Sequence, residues 1–256
     1  MNEKSSISSE TRYIYAIIAT DDDKQFGPIG IGSRNDEVFT QRYKDIGAVV
    51  SSSPVVQYPV SRVNTLAHQR VLERVMAEHS LLPVRFGTIA DDANQILDKV
   101  LIARYAEIRD RLTYVNDKIE LGLKVLRTDA SVMFRDIVNE NREIRRLRDR
   151  MAEKKGAVQR DQVKLGEMVK KALDQKRKKT EKDILSLLLP LSVEHRMNSV
   201  FGDLMITNSA FLIYKYQESA FDQAVNDLAE THAEQLTFKY VGPVPPCNFV
   251  EMSIVW

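Results

Sequence analysis

One cysteine, Cys247, stands in the whole chain, so no internal disulfide can form, which fits a reducing compartment. Long apolar runs are missing too. The most apolar stretch, 184–193, contains Pro190 and reaches only about half of the roughly 20 residues that a spanning helix needs. The first ten residues are polar and serine-rich, without the apolar core of a signal peptide. Nor is there a surplus of one charge. Lys and Arg total 37 and Asp and Glu total 36, which argues against nucleic acid as the main partner of the chain. A soluble protein that stays in the cytoplasm, away from membranes, is expected.

The motifs of catalysis are absent as well. His68, His79, His195 and His232 form no H-E-x-x-H or H-x-x-x-H pair, and Cys247 has no cysteine neighbour. Each histidine reads as a structural or surface residue. Cys247 reads as an inert thiol, because no nearby base is nominated. Gly27, Gly30 and Gly32 match neither a P-loop nor G-x-G-x-x-G, so their stretch reads as a mobile surface loop. There is no G-x-S-x-G elbow and no kinase motif set. No catalytic residue, cofactor or metal is therefore expected.

What is present is the material of a packed core, 43% hydrophobic and 29% charged residues in a chain of 256. After a tail at 1–11, the β-branched and aromatic run 12–20 predicts a buried strand. Strands are predicted near 37–41 and 46–51, a helix capped by Ser61 over 62–79, a strand over 83–89, and a helix opened by Asp91 or Asp92. From residue 118 a second cycle begins. Ile119, Leu121, Leu123 and Val125 alternate with Glu120, Gly122 and Lys124, the period of a half-exposed strand. Asp129 caps a long helical region that turns at Lys154-Lys155-Gly156. Thr180 opens a further helix that Pro190 bends. A hairpin turning at Asn208-Ser209, a helix from Ser219, a strand at 236–241 and a last strand at 248–255 complete it.

This order predicts an α+β fold of two domains. Residues 12–112 form a modified ferredoxin-like domain in which the glycine-rich loop replaces the first helix. Residues 117–256 form a ferredoxin-like domain with a coiled-coil-like helical insertion at about 129–180. The insertion is the most uneven region. Residues 141–182 hold 16 Lys or Arg and 7 Asp or Glu. Its densest run, Lys176, Arg177, Lys178 and Lys179, is the candidate partner-binding surface for acidic partners. Few aromatics interleave with these charges, so base stacking is not supported.

Several stretches resemble the gas vesicle protein F/L family (GvpF/GvpL), over 13–250. Tyr13-Ile14-Tyr15-Ala16-Ile17 looks like its first strand. Leu82-Pro83-Val84-Arg85-Phe86-Gly87-Thr88 looks like its most characteristic motif. Leu191-Ser192-Val193-Glu194 and Arg196-Met197-Asn198 resemble its later helix. Gly242-Pro243-Val244-Pro245-Pro246-Cys247-Asn248-Phe249-Val250 is similar to its C-terminal signature, with Val244 and Cys247 where the family usually has aromatics. The length suggests the F member.

The resemblance implies a minor, non-catalytic gas vesicle component of two α+β domains. It implies that the chain binds the small hydrophobic shell protein (GvpA-like) and other accessory proteins, and assists vesicle assembly or nucleation. Pro83, Arg85, Phe86, Gly87, Gly242, Pro243, Pro245 and Pro246 read as architectural, with Arg85 partly buried and paired. Two other readings stay open: a regulatory small-molecule-binding module, and a nucleic-acid binder acting through the basic arm.

Overall fold

A computed structural model describes residues 10–153 and 159–256. The chain divides into two compact units, one holding residues up to Glu120 together with Pro243–Trp256, the other Leu121–Gly242. The division differs from two consecutive domains, because the last residues return to the first unit. Residues 1–9, the Lys154-Lys155-Gly156 turn and Val158 lie outside the described residues.

In the first unit, β1 (Thr11–Ala19) is central, and its stretch Tyr13–Ile18 is wholly buried, as a strand covered on both faces must be. It pairs antiparallel with β4 (Ile46–Ser53), with a register shift between Ile14 and Ala16, and with β5 (Leu81–Pro83). With β2 (Gln25–Gly27) and β3 (Val38–Tyr43), the sheet order is β2-β3-β4-β1-β5; β6 (Ile89–Ala90) also pairs with β1. Apart from the added β2, this is the ferredoxin-like order, with a loop in place of the first helix.

Helix α1 (Arg62–Met76) starts at Ser61, whose hydroxyl accepts the Asn64 N–H at 3.2 Å. It buries His68, Val71, Leu72 and Val75 in a core shared with Tyr13, Tyr15 and Leu81. Asp92 caps α2 (Ala93–Ile96), which runs on through π-helical turns Leu97–Ile102 to α3 (Tyr105–Val115). The strand expected over 83–89 is in fact two strands with a turn between them.

The second unit contains most of β7 (Lys118–Arg127), then α4 (Ala130–Glu140), α5 (Arg142–Glu153), α6 (Gln159–Leu188), β8 (Glu194–Met197), β9 (Met205–Tyr214), α7 (Glu218–Thr231) and most of β10 (Leu236–Val244). Its sheet order, β10-β7-β9-β8, sets the last strand beside the first and the second at the edge, the arrangement of a ferredoxin-like unit. Helices α4 to α6 stand where one helix would suffice. Met133, Ile137 and Ile144 pack there against Leu165, Met168, Val169, Ala172 and Leu173.

Several expectations need correction in this unit and in the returning tail of the first. The helix expected to begin at Thr180 is the end of α6, and the Thr180 hydroxyl bonds back to the Lys176 carbonyl at 3.0 Å. The helix stops at Leu188, before Pro190, and Glu194–Met197 is strand. Asn208-Ser209 is no turn: β9 runs through it and pairs antiparallel with β8. Thr207 and Ser209 satisfy each other there at 2.8 Å, and His195 reaches Ser209 at 3.1 Å, so polar residues sit buried in a strand. Finally, the expected last strand opens as a short helix, α8 (Cys247–Val250).

Candidate functional site

Two motifs separated in sequence by the whole second unit meet in the first. β5 brings Pro83 into the sheet opposite Ala16. Val84 then bridges in parallel to Met252. The Met252 N–H donates to the Pro83 carbonyl at 2.7 Å, and the Arg85 N–H to the Met252 carbonyl at 3.0 Å. Pro245 and Pro246 are buried, whereas Gly242 and Pro243 are exposed. Phe86 and Cys247 pack against the same core cluster.

The chain turns at 85–88, with the Thr88 N–H donating to the Arg85 carbonyl at 3.3 Å and Gly87 at φ +84°. A Cβ at Gly87 would meet nothing within 4 Å, so this glycine is required by its backbone angle, not by a close neighbour. The expectation of a partly buried, paired Arg85 is corrected. Its side chain is exposed, because it opens a turn instead of lying in a strand.

Glu120 holds the tail, a role that strand alternation missed by placing it on the exposed face. It is 3% exposed. Its carboxylate accepts the Asn248 backbone N–H at 2.9 Å and the Asn248 side-chain amide, capping the first turn of α8. A carboxylate in an otherwise alternating strand carries no local mark of such a fate.

Under the junction lies a polar cluster. Tyr13 Oη is 3.0 Å from His68 Nδ1 and accepts the Gly87 N–H at 2.9 Å. Tyr15 Oη lies 2.9 Å from Ser51 Oγ and accepts the Ile31 N–H at 2.7 Å. Burial pushes Tyr15 up to about 12, raises Tyr13 as well, and brings His68 down to about 4. At neutral pH the phenols keep their protons and the imidazole is uncharged, so these groups hold the core together. Burial, with Glu120 nearby, pushes the Cys247 thiol up to about 12, which leaves it protonated as well. Among the described residues no cluster of three His, Cys, Asp or Glu could hold a metal ion.

The glycine-rich loop turns its amides inward. Gly30 N–H donates to the Asp36 carbonyl at 2.9 Å, and Ile31 N–H is taken by Tyr15. A Cβ at Gly30 would lie 2.7 Å from the Asp36 carbonyl oxygen, so there this glycine permits a close approach. The first unit also exposes several apolar side chains between the end of β4 and the first turns of α1. Val56 is 76% exposed, Val60 84%, Val63 76% and Leu66 55%, with Val55 next to them in sequence. Val63 and Leu66 are one turn apart on α1, and the exposed Arg62 and Arg70 flank them in sequence.

The basic run lies on α6, in the other unit. Lys176 Nζ is held by Glu140 at 2.7 Å and lies 3.8 Å from Asp136, and Arg177 lies 3.5 Å from Asp174. Lys178 and Lys179 are exposed. Half of that candidate surface is therefore occupied by the arm's own carboxylates.

Comparison with known proteins follows this geometry. Residues 11–251 match the family model described as gas vesicle synthesis protein GvpL/GvpF. Gas vesicle protein F1 of Halobacterium salinarum is 26% identical over 249 residues, covering 96% of this chain and 95% of that protein. Gas vesicle protein F of a Streptomyces species is 29% identical, covering 87% and 91%. The crystal structure of GvpF from Anabaena is similar in fold, with a TM-score of 0.85 at 24% identity over 96% of this chain and all of that one. GvpF from Microcystis aeruginosa gives 0.80 at 20% identity, over 95% and 100%. Among the described residues no helix is long and apolar enough to cross a membrane.

Proposed function

The chain belongs to the GvpL/GvpF family of gas vesicle synthesis proteins, and on that premise we propose that it binds the main hydrophobic shell protein and assists vesicle assembly or nucleation without catalysing a reaction. It acts in the cytoplasm and at the growing vesicle. The observation that carries the proposal is the run of exposed apolar side chains Val55, Val56, Val60, Val63 and Leu66. Exposed aliphatic side chains gathered in one short segment mark a surface that another protein covers. A shell subunit with an apolar face needs such cover until it is built in.

The motif junction supports this as scaffold. It pins β5 and the tail to the sheet whose helix α1 presents part of that run. The experiment is a variant carrying Val60→Asp, Val63→Asp and Leu66→Asp, made at exposed positions so that the fold survives. Capture of co-expressed shell protein is expected to fall at least tenfold, and vesicle yield with it, at an unchanged circular dichroism spectrum. Full capture by the folded variant would overturn the proposal.

A further inference from the structure

We propose that the groove between α5 and α6 binds an acidic segment of a partner protein, one that carries an aliphatic side chain between its carboxylates. The groove has a volume of about 320 Å³ and is lined by Glu143, Arg146, Leu147, Arg150, Lys164 and Met168. Arg146 and Arg150 stand one turn apart on α5, and Lys164 reaches in from α6. Leu147 is buried and Met168 half-buried, giving the groove an apolar floor under a basic rim.

The lining holds one carboxylate, Glu143, and among the described residues no ion pair ties it to the rim cations. Ion pairs in this part of the chain join Arg148 to Asp149, Lys176 to Asp136 and Glu140, and Arg177 to Asp174. Arg146, Arg150 and Lys164 make none among the described residues. The Arg150 guanidinium leans on the Arg146 carbonyl at 3.4 Å, which brings two like charges onto one side of α5. Like charges four residues apart weaken a helix, and a bound carboxylate offsets that repulsion. Among the described residues Lys178 and Lys179 are unpaired as well, and what sets the groove apart is that its three cations stand around an apolar floor.

The chemistry selects the class of partner. Neither α5 nor α6 contains Phe, Tyr, Trp or His, so bases would find no stacking platform. The floor of Leu147 and Met168 suits an aliphatic side chain, and the paired arginines suit carboxylates spaced one helical turn apart. The groove belongs to the second unit and uses none of the exposed apolar residues of the first, so this inference stands apart from shell-protein binding.

The test uses the full chain and a fluorescein-labelled twelve-residue peptide of Glu and Leu, with a twelve-nucleotide oligo-dT as the competing probe. Fluorescence anisotropy is expected to show salt-sensitive peptide binding. The variant Arg146→Glu, Arg150→Glu, Lys164→Glu is expected to weaken it at least tenfold. The control Lys178→Glu, Lys179→Glu, Lys182→Glu, with the same change in net charge, is expected to weaken it less than threefold. A neutral variant, Arg146→Gln, Arg150→Gln, Lys164→Gln, should lose binding while keeping the wild-type helix content. Equal losses in the two charge-reversed variants would reduce the effect to bulk charge and overturn the groove. Tighter binding of oligo-dT, or no peptide binding by the wild type, would overturn it as well.

Discussion

The motif junction of the first unit and the helical pair of the second use polar residues in opposite ways. At the junction, Tyr13, His68, Glu120 and Asn248 are hydrogen-bonded to one another or to nearby backbone, and Tyr13 and Glu120 are almost wholly buried. In α5 and α6 the charged residues are mostly exposed, and only a thin strip of apolar residues joins the helices. A satisfied buried polar group pins the fold but offers a partner nothing. An unpaired exposed cation contributes little to stability and keeps its charge for a partner. The first region is therefore where substitutions should unfold the chain, and the second where they should change what it binds.

The largest effect expected comes from a matched pair of core truncations. Leu72→Ala, in the α1 core, should cost about 3 kcal/mol of global stability, within the usual range for a buried leucine. Ile144→Ala, although its side chain is equally buried, should loosen α5 locally and move the global midpoint less, because half-exposed neighbours can close around it. Chemical denaturation with hydrogen exchange reads both. Equal global losses would erase the contrast between the regions.

Acid offers the next separation. The unfolded pKa of histidine is about 6.5, and His68 lies at about 4 in the folded chain. The folded state thus binds fewer protons, so the stability tied to a neutral His68 is complete above 6.5 and is lost as pH falls towards 4. The loss is on the order of 3 kcal/mol. Helices α4 to α6 contain no histidine. Helical circular dichroism should therefore outlast the tyrosine signal of the first unit as pH is lowered, and His68→Gln should flatten the difference. Simultaneous loss of both signals would break the comparison.

The smallest effects lie within the junction itself. Glu120→Gln leaves one of the two Asn248 donors facing an amide N–H₂ and should cost about 2 kcal/mol. Arg85→Ala, at an exposed position after β5, should stay within about 0.5 kcal/mol. Thermal melts of the two variants measure both. If Arg85→Ala keeps the midpoint but abolishes vesicle formation, this part of the motif contacts a partner and is more than scaffold.

Much of this molecule was decided locally. The run 12–20 had to be a buried strand, since β-branched and aromatic residues on both faces have no other stable place. Ser61, Asp92 and Asp129 accept N–H groups at helix starts because their side chains can do little else there, and Pro190 lies just past the end of α6 because it lacks an N–H. The order of strands and helices carried the two ferredoxin-like sheets, and the motifs at 82–88 and 242–250 carried the resemblance to the gas vesicle family. Tertiary structure alone decided the rest. Glu120 is buried because the returning tail covers it, Ser209 lies within a strand because His195 and Thr207 satisfy it, and Arg85 is exposed because Gly87 turns the chain. Which basic residues remain unpaired depends on which carboxylates the folded helices bring within reach. Local pattern reports what a residue prefers in water or in a regular element; partners brought from far along the chain set what it becomes, because burial and pairing outweigh a local preference.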